Sequence, residues 1–219
     1  MLKPYYEEDG IVLYHGDCRE ILPEVGPVDA VITDPPYGIR KLMQGGTWAK
    51  KNLYISDGAI WDSAPPAKEV FDLLLTKGQK IIIWGGNYFP LPPARCWLIW
   101  NKPERNFTLA DAELAWTNLD KPVRTFDLPR LGRRPLHPTE KPLLLMSWCC
   151  SFVEGDTLDP FAGSGTTLVA AKQLGRKAIG IEIEESYCEI AANRLRNTTP
   201  SLFTPKRPQA EQLKLEAVA

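Results

Sequence analysis

A chain of 219 residues, 44% hydrophobic and 24% charged, is long enough for one good core, and no apolar run in it approaches the roughly 18 residues of a membrane span. Its net charge of −1 excludes the overall basic character common in nucleic-acid binders, so a nucleic acid would have to be met by local clusters of charge. Five cysteines without a CxxC, and two histidines as far apart as His15 and His137, form neither a zinc pattern nor a disulfide framework; no metal is expected, and a reducing cytoplasm is the expected compartment.

In chain order, MLKPYYEEDG opens without the apolar segment of a signal peptide. The apolar run GIVLYHG (10–16) reads as a strand, and VDAVITD (28–34) as a second that runs straight into the stiff corner DPPYG. Residues 38–62 have little periodicity and hold Trp48, Trp61, Arg40, Lys41, Lys50 and Lys51. A helix is predicted in DSAPPAKEVFDLLLTKG (62–78), which has a Ser/Asp start, apolar Val70, Leu73 and Leu74, and a closing glycine. QKIIIWGG (79–86), ARCWLIWN (94–101) and AELAWTN (112–118) read as strands. Residues 119–138 again lack periodicity and carry Lys121, Arg124, Arg130, Arg133 and Arg134; loops of such length in a compact domain are usually functional or disordered. TEKPLLLMSWCCSFVEG (139–155) offers Thr139 as an N-cap and ends at Gly155. The strand DTLDPF, the helix GTTLVAAKQLG, the strand KAIGIEIE and the helix EESYCEIAANRLRN complete the series.

Strands alternating with helices give an α/β fold with a mainly parallel sheet. Near-continuous apolar strands such as KIIIW fit a sheet covered by helices on both faces. Residues 1–199 read as one domain, and the Pro-rich segment 200–219 as a mobile or docking tail.

LDPFAGSGTTLVAAKQLG has the form strand, glycine turn, helix, the geometry of a nucleotide-binding first βα turn. It is not a P-loop, since no GK[ST] follows Gly163, and Leu168 stands where GxGxxG requires its third glycine. The turn contains no lysine or arginine and is opened by Asp159, which suits a ligand carrying an amine better than a pyrophosphate. About 20 residues on, Glu182 ends a strand where such folds place the acid that binds ribose hydroxyls. S-adenosylmethionine fits both, with its ribose at Glu182 and its amino-acid end at the turn.

The corner Asp34-Pro35-Pro36-Tyr37 suits one chemical problem. The lone pair of an exocyclic base amine is delocalised into the ring, so the nitrogen is planar and a poor nucleophile. Two acceptors aimed at its N–H bonds draw it towards tetrahedral geometry and offset the developing positive charge. Asp34 supplies one acceptor and the carbonyl of Pro35 the other, while the paired prolines fix the backbone. Tyr37 can stack on the base. A duplex base reaches such a site only by flipping out.

TDPPYG, HPTEKP, DPFAGSGTT and GIEIEESYCEIAANRL together resemble the DNA methyltransferases that modify adenine N6 or cytosine N4. The order, corner first and cofactor turn later, resembles their circularly permuted β group. The resemblance covers nearly all of the chain before Pro200. It implies a Rossmann-like methyltransferase fold with seven strands, S-adenosylmethionine as cofactor and double-stranded DNA as partner. By it Asp34, Pro35, Pro36 and Tyr37 are catalytic. The cofactor set is Asp159, Phe161, Ala162, Gly163, Ser164, Gly165, Thr166, Glu182 and Ile183, with Asp17 and Cys18 near the cofactor adenine, Thr139 and Lys141 shaping the pocket, and Asp34 bordering it. IIIWGGNYF, with Asn87 and Tyr88, borders the same pocket. Arg40, Lys41, Lys50, Lys51, Arg130, Arg133 and Arg134 are the expected DNA contacts.

Many relatives carry a substantial target-recognition region between the motif blocks; here that space is a short arginine-bearing loop. A short or degenerate target, weak specificity, or a second subunit such as a homodimer partner would follow, and the compact form resembles orphan methylases of phages and prophages. Aspartate heads the corner in the adenine enzymes and serine more often in the cytosine-N4 ones, which favours adenine. A protein glutamine methyltransferase is disfavoured by the aspartate and by motif order, and a dinucleotide oxidoreductase by the missing glycine. A non-catalytic nucleic-acid module with a retained pocket is the alternative from another class.

Overall fold

The structure, a computed structural model, describes residues 2–38, 64–105, 110–129 and 140–199. Among these residues nine strands form one mixed sheet: β1 (Tyr6–Glu8), β2 (Ile11–His15), β3 (Val28–Thr33), β4 (Gly78–Trp84), β5 (Trp97–Asn101), β6 (Ala112–Thr117), β7 (Arg124–Asp127), β8 (Thr157–Asp159) and β9 (Ala178–Glu182). Their order across the sheet is β1-β2-β9-β8-β3-β4-β6-β5-β7. The pairs β2/β9, β9/β8, β8/β3, β3/β4 and β5/β7 are parallel, whereas β1 and β6 run against their neighbours. All seven predicted strands are present, within a sheet wider by two than the expected seven. The additions are short edge strands: β1 pairs with β2, and β7 lies inside the segment 119–138 that read as aperiodic. Only four residues long and mostly exposed, β7 has no alternating apolar pattern to betray it.

Among the described residues five α-helices flank the sheet: α1 (Cys18–Ile21), α2 (Lys68–Lys77), α3 (Leu143–Cys150), α4 (Thr166–Gln173) and α5 (Glu185–Arg196). Side chains alternate across the pleat of the central strands. Ala30, Ile32, Ile82 and Trp84 pack with Leu145, Met146, Cys149 and Cys150 of α3. Val31, Ile81 and Ile83 face the other way, onto Ile21 of α1 and Val70, Phe71 and Leu74 of α2. At the β2/β9 end, Ile11 and Leu13 lie under Leu168, Val169, Ala191 and Leu195 of α4 and α5. With both faces covered, each fully buried isoleucine of β4 stabilises the fold by roughly 1.5–3 kcal/mol.

The helix of segment 139–155 begins later than Thr139 predicts. Its N-cap position is Pro142, without a side-chain cap, and it ends at Cys150 rather than at Gly155. The reason lies in Lys141: a residue before proline is held away from helical geometry, and its side chain is drawn into the site described below. Thr139 itself, like Arg40, Lys41, Lys50, Lys51, Arg130, Arg133, Arg134 and the 200–219 segment, lies outside the described residues. No helix among the described residues is long and apolar enough to cross a membrane.

Candidate active site

Parallel strands deliver their C-terminal ends to one edge of the sheet, and adjacent β3 and β8 carry the two motifs there side by side. Past the end of β3 come Asp34, buried Pro35, half-buried Pro36 and Tyr37. Past β8 comes the turn from Pro160 to Gly165, in which Gly163 (φ 51°) and Gly165 (φ 80°) adopt the left-handed backbone that glycine accepts at little cost. One bond ties the motifs together: Thr33 Oγ1 donates to Asp159 Oδ1 at 2.7 Å. The same Asp159 oxygen accepts from the Phe161 N–H at 3.1 Å, so this buried carboxylate shapes the turn from beneath. Burial, with the Asp34 charge adding to it against three hydrogen bonds, raises the Asp159 carboxyl to about 6.

The Asp34 carboxylate holds two donors, Tyr37 Oη on Oδ1 and Lys141 Nζ on Oδ2, each at 2.6 Å. Lys141 also lies 3.1 Å from Tyr37 Oη and 3.2 Å from Glu113 Oε2. Glu113, second residue of β6, accepts in turn from Lys102 Nζ. Burial alone would lower the Lys141 amine, but the Asp34 and Glu113 carboxylates outweigh it and hold the group well above the usual range, so it stays an ammonium. Burial pushes the Asp34 carboxyl up, opposed by that ammonium and the Tyr37 hydroxyl. For Glu113 the two lysines overcome burial and bring the carboxyl down to about 2.

Tyr37 sits where backbone must approach closely. A Cβ on Gly85 would stand 2.1 Å from Tyr37 Cε1, and Gly85 is left-handed at φ 68°, so the end of β4 accommodates the ring only as glycine. Tyr88, half exposed, stacks on Tyr37 with centroids 5.1 Å apart and planes at 22°. Phe89 meets the same ring edge-on at 6.1 Å.

Along the edge, β2 and β9 bring the remaining predicted residues together. His15 is in register with Glu182, and its Nε2 lies 3.1 Å from the Ile183 carbonyl. Asp17, past Gly16, caps α1 by accepting from the Arg19 N–H at 2.8 Å and ion-pairs with the Arg19 guanidinium at 2.5 Å. Cys18, half-buried, has its thiol pushed up to about 12, chiefly by burial, so it is no nucleophile. Glu182 accepts from the Gly163 N–H at 2.7 Å and the Glu184 N–H at 2.9 Å, one on each oxygen, which ties the glycine turn to the strand-end acid.

Sequence reasoning missed Thr33, Lys102, Glu113, Glu140 and Arg194. Arg194 of α5 lies against the turn, with Nη1 2.7 Å from the Ser164 carbonyl, 3.1 Å from Thr166 Oγ1 and 2.9 Å from Glu140. Glu140 also accepts from Thr166 Oγ1 at 3.3 Å, so the segment preceding α3 is clamped to the glycine turn. Two signals were available. Arg194 falls on the α5 face that buries Ala191 and Leu195, and Glu113 is an acid inside an otherwise apolar strand.

The donor set fits S-adenosylmethionine. Each Glu182 oxygen takes one N–H and keeps a lone pair for a ribose hydroxyl. Exposed Ile183 and half-buried Phe161 offer apolar surface for a nucleobase. No group of His, Cys, Asp and Glu able to hold a metal ion occurs among the described residues.

Comparison with known proteins agrees with this geometry. Residues 92–193 match the DNA methylase family of the N6/N4 type. The chain is 31% identical over 251 residues to the Type II methyltransferase M2.DpnII of Streptococcus pneumoniae, covering 89% of this chain and 93% of that one. It is 28% identical over 270 residues to the Type II methyltransferase M.ScaI of Streptomyces caespitosus, covering 92% and 86%. The crystal structure of the M1.HpyAVI–SAM complex superimposes with a TM-score of 0.60 at 25% identity, over 84% of this chain and 98% of the other. The cytosine-N4-specific PvuII DNA methyltransferase shares the fold, with a TM-score of 0.56 at 16% identity over 92% and 98%. The chain therefore belongs to the S-adenosylmethionine-dependent DNA methyltransferases of the N6-adenine/N4-cytosine type.

Proposed function

We propose that this methyltransferase acts on the exocyclic N6 of an adenine flipped out of double-stranded DNA. One observation carries the reading: the Asp34 carboxylate stands at the tip of β3, next to the cofactor turn, charge-paired with an ammonium 2.6 Å away. Each of its oxygens has one donor and one lone pair still to offer. Asp34 and the Pro35 carbonyl accept the two amine N–H bonds and Tyr37 stacks on the ring, as the sequence implies. When bound, S-adenosylmethionine supplies the methyl group as an activated sulfonium. The amine nitrogen would attack the methyl carbon as the C–S bond breaks with its electron pair on sulfur, and the cationic nitrogen would then give up one N–H proton to solvent water. No side chain forms a covalent bond, which agrees with the protonated, unreactive state of Cys18.

Aspartate at position 34 is the support for adenine over cytosine. In the same reading Asp17, Cys18, Phe161, Ala162, Gly163, Ser164, Gly165, Thr166, Glu182 and Ile183 line the cofactor, with Lys141 holding Asp34 in place. The basic residues of 40–51 and 130–134 contact DNA phosphates. Alignments of 251 and 270 positions draw on a chain of 219, so these relatives have residues that this one lacks, in keeping with a small target-recognition region.

Purified protein incubated with plasmid DNA and methyl-labelled S-adenosylmethionine tests the reading once the DNA is digested to nucleosides. Label is expected in N6-methyladenine. Label in N4-methylcytosine would overturn the choice of base while keeping the catalytic corner, and unlabelled DNA would overturn both.

A further inference from the structure

Behind Asp34 lies a chain of alternating charge: Lys102, Glu113, Lys141, Asp34. The four groups come from four segments: the residue after β5, the start of β6, the stretch before α3 and the corner after β3. Their side chains are 8%, 25%, 5% and 17% exposed. Lys102 further sits 4.4 Å from the centroid of the Trp100 ring. Buried ion pairs are poor stabilisers, since desolvation offsets most of the Coulomb gain and an apolar pair would serve stability as well. Asp34 and Lys141 already neutralise each other. The second pair therefore invites a functional account.

We infer that Glu113, balanced by Lys102, is a positioning residue that keeps the charge network behind Asp34 neutral, so that a cationic sulfonium and a cationic amine can both be accommodated beside Asp34. The inference rests on the reading that Asp34 faces the reacting amine. That reaction moves positive charge from sulfur to nitrogen within a few ångströms of the Asp34–Lys141 pair. Four groups of alternating sign sum to zero and tolerate it. Without the Glu113 charge two ammoniums face one carboxylate, and the pocket opposes any cation brought into it. Lys141 would also lose the carboxylate 3.2 Å away on its far side and be left to Asp34 alone, making Asp34 a weaker acceptor for the base. Loss of the Lys102 charge acts in the opposite sense.

The test compares two ligands that differ in charge at sulfur: S-adenosylmethionine, a sulfonium, and S-adenosylhomocysteine, a neutral thioether. Calorimetric titration at low salt gives the ratio of their dissociation constants without DNA or turnover. Glu113→Gln keeps the shape and removes the charge. It should raise the ratio about ten-fold, the scale of a unit charge roughly 10 Å away at an effective dielectric near 20. Lys102→Gln should lower the ratio, and the double variant should return within about two-fold of the unmodified protein. A ratio unmoved by either single change, or affinity for both ligands lost in parallel, would overturn the proposal. Should Glu113→Gln not fold, the Lys102→Gln ratio alone decides in the same way. Because no DNA is present, a wrong choice of base leaves these shifts intact, whereas normal N6 methylation with unshifted ratios sinks this inference and spares the former.

Discussion

Asp159 shows how one residue can serve the site at a cost to the fold. Its carboxyl is buried beneath the glycine turn and titrates near 6, against 3.8 for an ordinary aspartate. Between those values the folded chain binds more protons than the unfolded one, so this group's stabilising contribution is whole below about 4 and is lost as pH rises through about 6. The span corresponds to up to about 3 kcal/mol, at 1.36 kcal/mol per pH unit. Urea unfolding of the protein and of Asp159→Asn at pH 4.5 and pH 7 measures it: the stability difference should move by about 1–3 kcal/mol in favour of the asparagine form at the higher pH. A difference independent of pH would contradict the assignment. The motif DPFAGSGTT makes Asp159 visible in the sequence, but not its burial or its bond to Thr33, because that partner lies 126 positions away.

At the level of elements, α5 and the stretch before α3 act on the turn through Arg194 and Glu140. Replacing Arg194 by Ala removes the group that bridges the Ser164 carbonyl, Thr166 and Glu140, and leaves the Glu140 carboxylate, 10% exposed, without that partner. A loss of roughly 1–3 kcal/mol is expected for a charge-assisted contact of this kind. Thermal unfolding should fall by a few degrees, with S-adenosylhomocysteine bound more weakly; an unchanged melting temperature would mean that the clamp is decorative. Elements were legible in proportion to their periodicity. The seven strands announce themselves as apolar runs, and the four longer helices by their spacing, α2 and α4 also by the glycines that follow them. Edge strands β1 and β7 escaped because three or four mostly exposed residues carry no period. Thr139 misled as a cap because the sequence does not show that Lys141 is pulled towards Asp34, a pairing set by tertiary contact across 107 positions.

For the whole molecule, the sheet explains why motifs far apart in sequence make one site. β8 and β3 are neighbours, β9 and β2 adjoin them, and every one of these strands ends on the same edge. The corner, the turn and the strand-end acid could be read in advance because each is local. The charge network of Lys102, Glu113 and Lys141 could not, since its members meet only once β5 and β6 are paired. In the proposed reading, a chain of net charge −1 meets DNA locally, through the basic residues of 40–51 and 130–134. Affinity for duplex DNA should fall steeply with salt, and Arg133→Ala with Arg134→Ala should reduce that slope by about two; an unchanged slope would remove these arginines from the interface. The most direct test of the central claim is nucleoside mass spectrometry on DNA from methylase-free cells expressing the protein or its Asp34→Asn form, with retained S-adenosylhomocysteine binding showing that the variant is folded. N6-methyladenine with the unmodified protein and none with the variant is the predicted result. N6-methyladenine at equal levels from both would contradict the role of Asp34 on which the account stands.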